Sequence, residues 1–132
     1  DFLKALELES EQPQVLNYLA YGWIERNIMI DKSIEMLELA VNKTPNNYYI
    51  LDSLAWGYYK NNELLKAVAI MEDVIKIAPA EAISLDHLGD IYFELGRKRE
   101  AYYMWVQAKD LAEEEDDIIE SIQMKIDKFN AG

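Results

Sequence analysis

The sequence predicts an all-α fold, a solenoid of antiparallel helix pairs with a C-terminal capping helix, and three observations predict it. Pro45 and Pro79 stand 34 residues apart, each closing an apolar helix-like segment, IEMLELAVNKTP and AVAIMEDVIKIAP. Three further segments, VLNYLAYGWIE, ILDSLAWGYYK and SLDHLGDIYFE, begin at Val15, Ile50 and Ser84, spacings of 35 and then 34. Self-similarity at such a period is the signature of stacked repeats. Finally, 132 residues hold only three prolines and five glycines, the punctuation of long helices rather than of a many-turned β sandwich.

The first element is a remnant. Phe2, Ala5 and Ser10 fall in the columns that Leu37, Ala40 and Pro45 occupy one repeat later, so residues 1–12 read as the second helix of a preceding repeat. Phe2, Leu3 and Leu6 should then be partly bare, and an end without a polar capping helix is prone to associate. A homodimer through this N-terminal helix is the expectation. The chain starts at Asp1 without a methionine, which predicts a fragment or processed product whose array began earlier.

Three repeats follow, at residues 13–47, 48–81 and 82–115. Their first helices share four columns: Leu16, Leu51 and Leu85; Leu19, Leu54 and Leu88; Ala20, Ala55 and Gly89; Trp23, Tyr58 and Tyr92. Within each segment these positions run i, i+3, i+4, i+7, one helical stripe. Their second helices carry Ser33, Ala67 and Ala101, then Leu37, Met71 and Trp105, then Ala40, Val74 and Ala108. Small residues in both helices let the pair approach to about 8–10 Å. The first repeat is one residue longer, in the turn from Arg26 to Ile30, and the third has Glu113 where the others have proline.

This order of large apolar, leucine, small and aromatic, then small, bulky, small and proline, resembles the tetratricopeptide-repeat family over nearly the whole chain. More narrowly, LNYLAYGWIERN, LDSLAWGYYKNNELLKAV and DHLGDIYFELGRKREAYYMW look like a group of bacterial tetratricopeptide-repeat proteins. The likeness implies a protein-binding scaffold, bacterial and either envelope-associated or cytoplasmic; no targeting signal is visible.

Residues 116–132 form the last element. Ile119, Ile122, Ile126 and Phe129 lie on one face of DDIIESIQMKIDKF, with Asp116 or Asp117 as N-cap. This helix should cover the apolar edge of the third repeat. The stretch from Asp110 to Glu120 holds seven carboxylates and no base, and reads as a solvated helix end and turn, or alternatively as a docking patch for a basic segment.

Charge and composition narrow the function. A net charge of −12 disfavours nucleic acid, which needs a basic stripe, and anionic membrane surfaces. Basic partners are favoured. With no cysteine, disulfides, thiolate catalysis and cysteine-ligated metals are excluded. No run of about 18 apolar residues exists, so no insertion into a membrane is predicted. The one histidine, His87, has Asp86 and Asp90 beside it, a spacing common by chance; it reads as a surface or groove histidine making ordinary hydrogen bonds, with no metal or other cofactor. Ser53 and Ser84 sit within helical segments, no nucleophile-elbow turn exists, and the glycines never cluster into a phosphate loop. No enzyme is predicted.

What remains is a binding surface. In the family that the chain resembles, the first helices line a concave groove. The columns turned from the buried stripe would place Asn17, Asp52 and Asp86 there, then Tyr21, Trp56 and Asp90, then Ile24, Tyr59 and Phe93, with Tyr49 and Ile83 near the rim. Stacked helices also need bulk at their contacts, so Tyr59 and Phe93 read equally as packing between repeats, whereas Tyr21 and Trp56 point into the groove. Some family members clamp a terminal carboxylate with Lys, Arg and Asn. Asn17 fits that pattern, but Asp52, Asp86 and Asp90 would repel a carboxylate by about 1–4 kcal/mol per close pair. The predicted partner is a protein or peptide, in extended or helical form, with apolar and basic residues. Trp56→Ala should weaken it by about 2 kcal/mol. The alternative is a structural segment acting mainly in self-association or packing against the rest of its own chain.

Overall fold

The computed structural model describes residues 12–113 and 117–131. These residues form seven α-helices and no strand: α1 (Pro13–Glu25), α2 (Ile30–Lys43), α3 (Tyr48–Lys60), α4 (Leu64–Ile77), α5 (Ala82–Glu94), α6 (Lys98–Leu111) and α7 (Ile118–Ala131). The fold is an all-α helical repeat of the solenoid class. The expected remnant helix at residues 1–12, with Phe2, Leu3 and Leu6, lies outside the described residues except for Gln12. Asp116 lies outside them too; α7 starts directly after Asp117.

The repeat is written in the backbone as well as in the side chains. Two residues past the ends of α1, α3 and α5 stands a residue of positive φ: Asn27 (61°), Asn62 (62°) and Gly96 (83°). At each end the same two bonds recur. The amide of the positive-φ residue donates three residues back, to Ile24, Tyr59 and Phe93 at 2.9, 3.0 and 3.0 Å. The next amide donates five back, to Trp23, Tyr58 and Tyr92 at 3.0, 2.8 and 2.9 Å. A left-handed residue turns the chain so that these otherwise orphaned carbonyls are satisfied. Asparagine tolerates that conformation and glycine enters it freely.

The extra residue of the first repeat sits in this turn. α4 and α6 begin two residues after Asn62 and Gly96, but α2 begins three after Asn27. Met29 fills the added position, itself at φ 51°. At the other ends, Pro13 starts α1, where a missing N–H costs nothing. The Asn47 side chain caps α3, accepting from the Tyr49 and Ile50 amides at 3.0 and 3.3 Å.

The chain forms two compact units, one ending at Ile70 and one beginning at Met71, so that α4 contributes to both. In the first, α1 packs on α2 and α3, and α2 on α3. Ala20, Ser33, Ala55 and Ala67 are all fully buried, the small residues on which close approach depends. In the second, α5 packs on α6 and α6 on α7, around Leu85, Leu88, Ile91, Trp105 and Ile122.

The buried face of α1 differs from the stripe read in the sequence. Leu16 and Ala20 are buried, but Leu19 and Trp23 are only half-buried, and Ile24 is fully buried in their place. Gly57 of α3 lies against this face. A Cβ there would come within 3.2 Å of both Ile24 Cδ1 and Ile34 Cγ1. Ile24 packs closely against this glycine, and the inward face of α1 is turned by one residue from the expected stripe. Ile24 is therefore a core residue, not part of an open binding surface.

Candidate functional site

In the second unit the site is built on α5. Asp86 and Asp90 lie one helical turn apart, on one face. Lys125 of α7 reaches between them, 2.8 Å from Asp86 Oδ1 and 2.9 Å from Asp90 Oδ1. The Trp105 indole N–H donates to Asp90 Oδ1 at 3.2 Å, and Lys125 Nζ stands 5.9 Å from the centre of the Trp105 ring. The acids expected to face a ligand thus already hold a lysine from the capping helix. Two carboxylates share one ammonium, and this shows in the proton affinities of Asp90 and Lys125. Burial pushes the Asp90 carboxyl above its ordinary range; Lys125 pulls it back and Asp86 pushes it further up. For Lys125 burial works against the charge, but attraction to Asp90 and the bonds to Asp86 and Asp90 outweigh it, and its affinity for a proton is raised.

α7 brings Lys125 there because its apolar face packs beside it. Ile122 and Ile126 are buried, and Phe129 stacks on Tyr102 of α6 with ring centres 4.7 Å apart. Phe93, on the outer side of α5, is 41% exposed. Its ring lies 5.8 Å from Trp105 and 5.6 Å from the Lys98 ammonium. His87 is buried, which corrects its reading as a surface or groove histidine: it follows Leu85 and Asp86 on the covered side of α5. Among the described residues no group of three or more His, Cys, Asp or Glu side chains converges as a metal site. No described helix is long and apolar enough to cross a membrane.

In the first unit the strip residues divide. Tyr49 is 60% exposed and stacks on Tyr48 with ring centres 4.2 Å apart. Tyr21, Asp52 and Tyr59 are half-buried. Trp56 is only 7% exposed; Tyr59 stacks on it at 4.6 Å and the Lys60 ammonium stands 5.4 Å from its ring centre. Trp56 is therefore chiefly a packing residue, and Trp56→Ala reads stability before it reads binding. Asn17 is half-buried, with its side-chain oxygen enclosed and, among the described residues, without a hydrogen-bond partner.

No family model matches the chain, and no curated protein matches it. Solved structures do. The first tetratricopeptide-repeat domain of Spaghetti (RPAP3), bound to the HSP90 peptide SRMEEVD, aligns with a TM-score of 0.75 at 16% identity, over 93% of this chain and 96% of that one. The translocator chaperone SycD of Yersinia enterocolitica type III secretion aligns at 0.79 and 11% identity, over 90% and 92%. The Sgt2 tetratricopeptide-repeat domain of Aspergillus fumigatus aligns at 0.74 and 19% identity, over 92% and 83%. The fold is that of a tetratricopeptide-repeat domain.

Within this tetratricopeptide-repeat fold, the predicted strip residues have separate fates. Tyr49 and Phe93 remain open, and Tyr21, Asp52 and Tyr59 partly so. Ile24 and Trp56 are packed, and Asp86 and Asp90 are engaged by Lys125. Lys125 itself was missed by the column reading, because it belongs to no repeat column. The available signal was its place between Ile122 and Ile126 on the apolar face of α7, where a lysine needs an acidic partner to be buried.

Proposed function

We propose that this chain is a protein-interaction module in which each unit presents its own strip, on α1 and α3 in the first and on α5 in the second, for a peptide or helix bearing apolar and basic residues. One observation carries the partner chemistry. The acidic pair Asp86 and Asp90 already accepts a lysine from a helix with an apolar face. A surface that satisfies such a helix from its own chain has the right chemistry for one from another. The open aromatics Tyr49 and Phe93 supply contact area of the kind that dominates interface energy. The net charge of −12 steers basic partners towards it.

The HSP90 peptide in the Spaghetti structure, SRMEEVD, is acidic at its end. The aspartates of α5 set this chain apart from that ligand class. We assign the chain no catalytic step: its one histidine is buried among the packing residues of α5, and its serines Ser53 and Ser84 are buried within helices.

The test is a titration of the full chain with two labelled amphipathic peptides of equal apolar content, one lysine-rich and one glutamate-rich. The lysine-rich peptide should bind, and Tyr49→Ala and Phe93→Ala should each weaken its binding to the unit that carries the substitution by about 1–2 kcal/mol. Equal binding of both peptides, or affinities indifferent to both variants, would reject the assignment.

A further inference from the structure

We propose that α7 is the resident ligand of a helix-binding face on α5 and α6, and that a basic partner helix with the same spacing displaces it. The inference rests on the binding-module reading and adds both a ligand pattern and a regulation. The pattern is read from α7 itself: Ile122, Lys125 and Ile126 at i, i+3, i+4, with Phe129 at i+7. This places an isoleucine, a lysine, a second isoleucine and an aromatic ring on one face. The isoleucines are buried, the lysine lies between Asp86 and Asp90, and the ring stacks on Tyr102. A partner of the form apolar, two spacers, lysine, apolar, two spacers, aromatic makes the same contacts.

Exchange is favoured by charge. In α7 the two lysines, Lys125 and Lys128, are balanced by Glu120 and Asp127, so the resident helix is neutral. It sits in a chain of net charge −12, on a pair of carboxylates that a single lysine only half neutralises. A partner helix with this pattern and an excess of Lys or Arg keeps every contact of α7 and gains the attraction that α7 lacks. The resident has the advantage of its tether, which holds it at high effective concentration. The affinity of a partner is reduced by the fraction of time for which α7 is docked. Weakening α7 should therefore strengthen the partner.

The experiment uses the full chain and a labelled synthetic peptide with the sequence of residues 118–131, carrying Glu120→Lys and Asp127→Lys. Binding is read by fluorescence anisotropy, and docking of α7 by amide hydrogen exchange. Lys125→Glu in the chain should repel the resident helix from Asp86 and Asp90 and tighten peptide binding by about ten-fold or more. Adding Asp86→Asn and Asp90→Asn to that chain should undo the gain. In the wild-type chain, bound peptide should speed amide exchange across α7, a readout that needs no variant to fold. Equal affinity of the wild-type and Lys125→Glu chains, or bound peptide with exchange in α7 unchanged, overturns the proposal. The binding-module reading fails on a different result, indifference to Tyr49→Ala and Phe93→Ala, so the two failures are distinguishable.

Discussion

The Tyr92 hydroxyl donates to the Glu72 carboxylate at 2.6 Å, joining α5 to α4 across twenty positions of sequence. Tyr58 makes the same bond to Glu38 at 2.9 Å, also across twenty positions. Both tyrosines sit in the column that ends the buried stripe, and a cation lies over each ring: Arg97 at 4.2 Å from Tyr92 and Lys66 at 5.4 Å from Tyr58. Each ring is thus held in its plane by packing, at its tip by a carboxylate and on its face by a charge.

Tyr92→Phe and Tyr58→Phe should each cost about 1 kcal/mol. A hydrogen bond to a charged acceptor contributes more than this when buried, but Glu72 and Glu38 can turn to water once released. The cation contacts survive in phenylalanine, which isolates the hydroxyl. Urea denaturation of each variant measures the loss, and an unchanged midpoint would show that the bond is not part of the stability of that unit.

Gly89 and Gly57 look alike in the sequence, each within a helix, yet should respond differently to alanine. At Gly89 a Cβ would overlap the Trp105 indole, displacing the donor to Asp90 and disturbing the seat of Lys125. Gly89→Ala should cost about 1–3 kcal/mol. At Gly57 the Cβ would meet only the side chains of Ile24 and Ile34, at 3.2 Å. The helix-propensity gain of about 1 kcal/mol over glycine offsets that crowding, so Gly57→Ala should stay within about 1 kcal/mol of wild type. Thermal melts of the two variants, compared side by side, decide it.

The fold was legible because it is periodic. Columns of leucine, small residue and aromatic recur at 34 or 35 residues, and a pattern repeated three times averages out local ambiguity. The site was less legible because it depends on single residues. Lys125 lies 39 positions from Asp86, and nothing in either segment alone pairs them. Ile24 packs against a glycine 33 positions away. Trp56 was read as an anchor from its residue type, but type does not report burial: the indole is covered, and Trp56→Ala should cost about 3–5 kcal/mol of stability. Tyr49 and Phe93 remain the better probes of binding.

Ser33 offers a stabilising change that the repeat itself suggests. Its side chain is fully buried, and among the described residues its hydroxyl has no hydrogen-bond partner. A buried hydroxyl left unsatisfied costs about 1–3 kcal/mol. The other two repeats carry Ala67 and Ala101 in this column, both fully buried. Ser33→Ala should raise stability by about 1 kcal/mol, seen as a higher urea midpoint without a change in slope. A lower midpoint would mean that the hydroxyl has a partner in solution, such as a bound water.

Alkaline pH should weaken both units. Tyr58 and Tyr92 are each pushed up to about 12 from an ordinary 10.0, first by burial and then by the bonds to Glu38 and Glu72 and the charge of those carboxylates. Below pH 10 the tyrosines are protonated in folded and unfolded chains alike, and their contribution is complete. Between pH 10 and about 12 the unfolded chain ionises while the folded one holds its protons, so stability falls. Lys125 acts in the same direction. Its proton affinity is raised above the ordinary 10.5, so its contribution is complete below that pH and is lost as pH rises through the folded value. The melting temperature of the wild-type chain should therefore decline from about pH 10 upwards. The decline should be shallower in the Tyr58→Phe, Tyr92→Phe double variant, because phenylalanine has no proton to lose. A decline of equal steepness in that double variant would assign the alkaline sensitivity to other groups, and a flat profile in the wild type would contradict the two tyrosine bonds and the lysine between Asp86 and Asp90 together.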